Sequence, residues 1–290
     1  MDQRSDKKQR RHRQKMEAVK SLDDMPCDVV SKVLAFTTPA DAGRSSAVSR
    51  LFRAASSWDW MWEQFLPSDI DEILPRAVTP IEFSSKKELL FRLCDPILID
   101  GGNKEDHRLA WTLELQSFAL ERSTGRKCLM VSSRELWFTW GGDNRYWTFT
   151  SDYESRFAEV AQLLQVCWLD LGGEITSTML SPKTCYAAYF IFQLKENSEG
   201  FQSPAQEASI SIGAHVSETT VILEPGRRRR TTDPTIQIPR TRDDGWMEIE
   251  MGEFPNDDCK ESVRFRFRQV TQMNWKRGLI VQGIEFRPKN

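Results

Sequence analysis

The chain has 290 residues, 39% of them hydrophobic and 28% charged, with a net charge of −2 at neutral pH. That length suits two domains, or one large domain with an appendage, and the near-neutral balance excludes general attraction to nucleic acid or to a membrane surface. No stretch approaches the roughly 18 apolar residues of a membrane span, and the first residues are charged where a secretion signal has an apolar core, so we expect an intracellular protein. Cys27, Cys94, Cys128, Cys167, Cys185 and Cys259 are scattered, with no CxxC pair and no histidine at zinc-ligand spacing. The expectation is buried free thiols, no metal and no cofactor.

Residues 1 to 21 open the chain as a basic tail. The first twenty carry eight Lys or Arg against three acids and no aromatic residue, too little apolar surface for a packed element. Its run KKQRRHRQK reads either as a nuclear-import signal or as a solvated tail. From Leu22 to Leu66 the spacing predicts a three-helix module. Val29, Val30, Val33, Leu34 and Thr37 recur three or four apart, the period of one helical face, in a helix beginning at Pro26. Thr38 is placed to cap a second helix, with Pro39 at its first position and Asp41 three residues on. A third segment carries Leu51, Phe52 and Ala55. So small a module encloses little core and should lean on a partner or on the next domain. In residues 67 to 117, Ser85 and Glu88 have capping-box spacing and start a helix that ends before Asp95 and Pro96 and joins the two halves.

Beyond residue 118 the period switches to two. In ESVRFRFRQV, Val263, Phe265 and Phe267 share one face and Arg264, Arg266 and Arg268 the other, as in a strand with one buried and one wet side. Further strand-like runs follow one another with turn residues between them, so an antiparallel β-sandwich over residues 118–290 is the economical architecture. The segment LWFTWGGDNRYWTFT, residues 136–150, reads as a hairpin around Gly141-Gly142-Asp143-Asn144. Its aromatic load has two readings, core and ligand platform; Trp137, Trp168, Trp246 and Trp275 are assigned to packing.

The helical module resembles an F-box: Met25-Pro26 stands for the usual Leu-Pro, Val33-Leu34 for an Ile-Leu pair, Val48-Ser49 for Val-Ser, and Trp62 for the closing Leu-Trp. The rest resembles the phloem-protein-two, or Nictaba-type, lectin domain, through GRKCLMVSSRELWFTWGGDNRYWTF, ESRFAEVAQLLQVCWLDLGGEI, SPKTCYAAYFIF, DGWMEIEMGEF and WKRGLIVQGIEFRP in preserved order. Against that pattern residues 101–116 look like an insertion.

The fold class this implies is α+β multidomain, a small all-α F-box module followed by a jelly-roll-like β-sandwich. The resemblance implies that Met25, Pro26, Val29, Val33, Leu34, Val48 and Trp62 bind the Skp adaptor, and through it the cullin of a ubiquitin ligase. The lectin-like domain then selects glycoprotein or protein targets. In the family the tryptophans framing the turn form the sugar platform, and they match Trp140 and Trp147; Asp143 and Asn144 are placed to bond hydroxyls of an N-glycan or chitooligosaccharide. Lectin-active relatives tend to carry carboxylates where RFRFRQ, residues 264–269, has arginines. Arg227, Arg228, Arg229 and Arg230 are a further candidate import signal, giving a cytoplasmic or nuclear location.

Three other classes remain to be weighed. A lectin acting without ubiquitin transfer needs only the second half of the chain. Nucleic-acid binding would draw on the GRRRR run and the arginine face, against the overall charge. An enzyme lacks support: His12, His107 and His215 form no grouping of nucleophile, base and orienter, and no GxxxxGK[ST] loop occurs.

Overall fold

The computed structural model describes residues 25–99, 116–224, 235–257 and 260–289. The basic tail, Arg227–Arg230, Cys259, His12, His107 and all but the last residue of the 101–116 insertion lie outside the described residues.

Four short helices open the described chain: α1 (Cys27–Leu34), α2 (Pro39–Ser45), α3 (Arg50–Ala55) and α4 (Asp59–Glu63). Pro26 sits just outside α1 as its N-cap. The second cap forms as the spacing predicts, the Thr38 hydroxyl accepting from the Asp41 N–H at 3.1 Å. The Asp41 carboxylate does not run the box backwards onto the backbone; it accepts from the Thr38 hydroxyl at 2.9 Å. The core of this module is Val30, Leu34, Ala42, Ala55, Met61 and Trp62. The indole N–H of Trp62 donates to the Ser56 carbonyl at 2.7 Å, so a large ring is enclosed without an orphaned donor.

Two more helices, α5 (Ile70–Ile73) and α6 (Lys86–Arg92), lead into the strands. Ser85 caps α6 through the Glu88 N–H, while the Glu88 carboxylate reaches one residue further back, to the Ser84 N–H and hydroxyl. Those bonds and Arg92 hold the Glu88 carboxyl down at about 2. The helix does join the halves: Phe91 packs on Trp62 with ring centroids 5.7 Å apart, and the Leu93 carbonyl accepts from the Leu120 N–H at 2.7 Å. Leu66, Ile70, Ile73, Leu89, Leu90 and Leu93 form one buried cluster with Ile99, Phe118 and Leu120 of the sheet. The Lys127 ammonium, almost wholly buried, pairs with Asp69 across the same seam at 2.6 Å. The expected boundary at residue 118 falls inside a strand, β2 (Gln116–Leu120), which pairs with β1 (Ile97–Ile99) from the linking segment.

The strands, mostly antiparallel, form two sheets. A nine-stranded sheet runs β1-β2-β3-β15-β8-β13-β12, with β3 (Lys127–Ser132), β15 (Arg277–Pro288), β8 (Thr184–Glu199), β13 (Met247–Asn256) and β12 (Arg240–Thr241). It also takes β5 (Trp147–Ser151) and β6 (Glu159–Leu163) beside β15. A six-stranded sheet runs β11-β10-β9-β14-β7-β4, with β11 (Ile236–Gln237), β10 (His215–Val221), β9 (Gln206–Ile212), β14 (Ser262–Gln269), β7 (Leu169–Thr176) and β4 (Trp137–Phe138). The short β10–β11 pairing is parallel. Their inner faces share one core, in which Phe190 stacks on Phe267 at 4.7 Å and Phe265 meets Phe286 edge-on at 5.4 Å. Strand β14 alternates as its sequence requires, with Val263, Phe265 and Phe267 buried and Arg264 and Arg266 on the wet side. Central β8 is buried on both faces: Tyr186, Ala188, Phe190 and Phe192 face that core, while Ala187, Tyr189 and Ile191 join a second cluster with Phe157 and Trp246. Burial on both sides explains why YAAYFIF reads as one apolar run.

Two expectations fail here. The 136–150 segment is not a hairpin, because β4 pairs with β7 in one sheet and β5 with β6 in the other. Its turn carries the chain across the core. The described cysteines are free, but Cys27, Cys94, Cys128 and Cys167 are only half-buried and Cys185 is exposed. Cys27 opens α1, Cys128 and Cys185 lie within β3 and β8, and Cys94 and Cys167 lie in loops.

Candidate functional site

The aromatic loop separates its rings by environment. Trp147, which opens β5, is 1% exposed; its indole N–H donates to the Thr139 carbonyl at 3.2 Å and Phe138 packs on it at 4.4 Å. It offers no face to a ligand. Its role is to close the core where the chain crosses between sheets. Trp140 is 57% exposed, with Tyr146 beside it at 5.8 Å. Its φ is +66°, a left-handed conformation that bulky residues rarely adopt and that concentrates at functional loops. The Trp140 carbonyl accepts from the Asp143 N–H at 3.0 Å, which fixes the turn. The Asp143 carboxylate is clasped by the Arg145 guanidinium at 2.6–3.0 Å and accepts from the Arg145 N–H at 2.9 Å. Those bonds hold its carboxyl below the ordinary value, so it is an anchored acceptor with Asn144 exposed next to it.

Trp137, assigned to the core from sequence, is 46% exposed on the outer face of the six-stranded sheet. Leu136 and Phe138 turn inward on either side of it, and the strand period then forces Trp137 out; that parity was the available signal. The indole lies against the backbone at Gly172, where a Cβ would come within 2.8 Å of the ring. Trp137, Leu136, Glu135, Gly173, Glu174, Ser209, Ser211, Arg264, Phe265 and Arg266 line a groove of about 730 Å³. Trp168 and Trp275, also expected in packing, are exposed in loops flanking strand ends, whereas Trp246 is buried as expected.

The arginine face is internally neutralised. Arg266 makes a two-pronged pair with buried Asp170 at 2.7 and 2.5 Å, Arg268 meets Glu207 at 2.8 Å and Arg264 reaches Glu174 at 3.4 Å. A surface so balanced has little field with which to collect phosphates. Among the described residues no group of three or more His, Cys, Asp or Glu is placed to hold a metal ion, and no helix is long and apolar enough to cross a membrane.

On the helical module the adaptor candidates divide. Leu34 and Trp62 belong to the module's own core and present no surface to another chain. Val33 is 55% exposed and Val48 72%; Pro26 is exposed, and Met25 and Val29 partly so. Phe36, which sequence reasoning passed over, is 92% exposed just past the end of α1. It stands three residues after Val33 and seven after Val29, so the helical period that carries Val33 was the available signal.

Comparison with known proteins places these features. Residues 126–288 match the family described as Phloem protein 2. F-box protein At2g02240 of Arabidopsis thaliana is 39% identical over 92% of this chain and 80% of its own length. F-box protein PP2-B10 of the same plant is 38% identical over 92% of this chain and 94% of its own, and F-box protein PP2-B15 36% identical over 91% and 96%. Strands β3 to β15 thus carry the phloem-protein-two half, the relatives extend over the N-terminal helices as well, and the chain belongs to the PP2-B family of F-box proteins.

Proposed function

We propose that the protein is a noncatalytic substrate-recognition subunit of an SCF-type ubiquitin ligase, docking on the Skp adaptor through the helical module and holding a glycoprotein or protein target on the β half. The observation that carries this reading is the apolar surface the module leaves uncovered, Val33, Phe36 and Val48, beside a core of only six buried apolar residues. A module that small gains stability by covering such a surface with another chain. In this reading residues 22–66 are the F-box, 67–117 the linking segment and 118–290 a jelly-roll-like β-sandwich, and the protein works in cytoplasm or nucleus. Met25, Pro26 and Val29 border the adaptor contact. The test is co-purification of the full chain with the adaptor: wild type retains it, and Phe36→Asp combined with Val48→Asp loses it with an unchanged melting temperature. Retention by the double variant, or none by folded wild type, refutes the reading.

A second reading, an intracellular lectin acting without ubiquitin transfer, draws on the exposed indole of Trp140 beside Asp143 and Asn144. Trp147 is kept out of its test, since truncating a buried ring unfolds what it should probe. Sugar retention by a chain that never binds the adaptor favours this second reading.

A further inference from the structure

The carbohydrate-binding reading leaves open where a sugar sits, and the groove beside Trp137 has features the 140–147 loop lacks. Its volume, about 730 Å³, falls within the range of roughly 300–1,000 Å³ typical of ligand sites. Its floor is rigid sheet: β14 pairs with β7 on one side and β9 on the other, so Arg264 and Arg266 project from fixed backbone between Glu174 and the serines at 209 and 211.

Trp137 is held flat. Opposite it Gly172 has no side chain, and a Cβ there would also press on the Phe265 carbonyl at 2.4 Å. The Arg266 guanidinium stands 5.9 Å from the ring centroid and is immobilised by Asp170. An indole fixed this way is a ready platform for the C–H face of a pyranose, with little side-chain entropy left to lose.

The charges select the ligand. Of the lining residues Arg264 and Arg266 are positive and Glu135 and Glu174 negative, and Arg264 and Arg266 each already face a carboxylate. No net field draws an anion, and a carboxylated sugar would have to separate existing pairs. A hydroxyl both donates and accepts, so it fits between a guanidinium and a carboxylate without separating them.

We propose that the groove formed by Trp137, Glu174, Ser209, Ser211, Arg264 and Arg266 is a saccharide seat distinct from the 140–147 loop. It takes an uncharged oligosaccharide with one ring stacked on Trp137. The proposal rests on the carbohydrate-binding reading above and gives that reading a place and a ligand class.

The test is a titration of the full chain with chitotriose and with a neutral glycan array carrying uronic-acid glycans as the anionic arm. Wild type, Trp137→Ala, Arg264→Ala and Trp140→Ala are compared, with melting temperatures recorded for each. Expected are a loss of about tenfold for Trp137→Ala and several-fold for Arg264→Ala, a smaller loss for Trp140→Ala than for Trp137→Ala, and preference for uncharged glycans. Should Trp137→Ala fold poorly, Arg264→Ala reads the same groove from a side chain outside the core. Loss in Trp140→Ala with full binding in Trp137→Ala and Arg264→Ala overturns the location but leaves the carbohydrate reading standing. Preference for uronic-acid glycans overturns the ligand class. Folded wild type that retains no glycan on the array or in the titration defeats both the reading and the seat.

Discussion

In the β half the interior is continuous: one cluster runs through both sheets from Leu129 to Phe286, and a second covers the outer face of β8. In the helical module the buried apolar residues are Val30, Leu34, Ala42, Ala55, Met61 and Trp62, and comparable side chains, among them Val33, Phe36 and Val48, are left in solvent. The difference is one of surface to volume, since two stacked sheets enclose both their inner faces while a few short helices enclose one thin seam. Changes in the core of the β half should therefore be read in stability, and changes on the helical surface in association.

The sharpest test of that division is Trp147→Ala. It removes a ring enclosed on all sides and should cost about 3–5 kcal/mol, read as a lowered urea midpoint. An effect below about 1 kcal/mol would mean that the crossing loop, and not the core, carries this residue.

Next comes the charge network on the outer face of the nine-stranded sheet. Glu285 pairs with Arg156 at 3.0 Å and with Arg242 at 2.6 Å, and Glu248 pairs with Arg242 and Arg287, both at 2.9 Å. Burial alone would raise the Glu285 carboxyl, but the Arg156 and Arg242 guanidiniums outweigh it and hold it below its ordinary value. Burial likewise opposes the shift at Glu248, where Arg287 and Arg240 win. With folded values depressed, the stability these carboxylates supply is complete above the unfolded carboxylate pKa of about 4.3 and drains as pH falls through the folded values. Glu285→Gln should cost roughly 3 kcal/mol at pH 7 and flatten the acid limb in denaturation followed from pH 7 to 3.

Smaller effects belong to the helices and the exposed turn. Thr38→Ala removes the cap of α2 and should cost about 1 kcal/mol by thermal unfolding, with some loss of adaptor retention because Val48 lies just beyond that helix. Trp140→Gly should leave stability within about 1 kcal/mol of wild type, because relief at a positive φ offsets the entropy that glycine adds to the unfolded chain. A large loss there would assign Trp140 to packing and erase the contrast with Trp147.

These contrasts also show what was legible in the sequence. Strand β14 could be read residue by residue because one face is buried and the other wet, and the Thr38 cap because its chemistry is local. The path of residues 136–150 could not. Gly141 and Gly142 announce that the chain turns, but turn chemistry does not say which sheet receives the next strand, and here β4 and β5 part company. Trp140 and Trp147 are the same residue type in one loop, and only the packing of Phe138 over one of them decides which is sealed. Leu34 and Val33 pose the same problem on α1: adjacent positions of one apolar stripe, a single helical step apart, fall on opposite sides of the module's rim.

The short strand Ile97–Ile99 has a mechanical consequence. A segment hydrogen-bonded into a sheet does not swivel, and this one ties the helices to the nine-stranded sheet while Lys127 and Asp69 lock the other side of the joint. Helices and sheets then turn as one lever. In the ligase role proposed above, whatever the sheets hold would face the complex at a set bearing, and the lysine that receives ubiquitin would be chosen by reach.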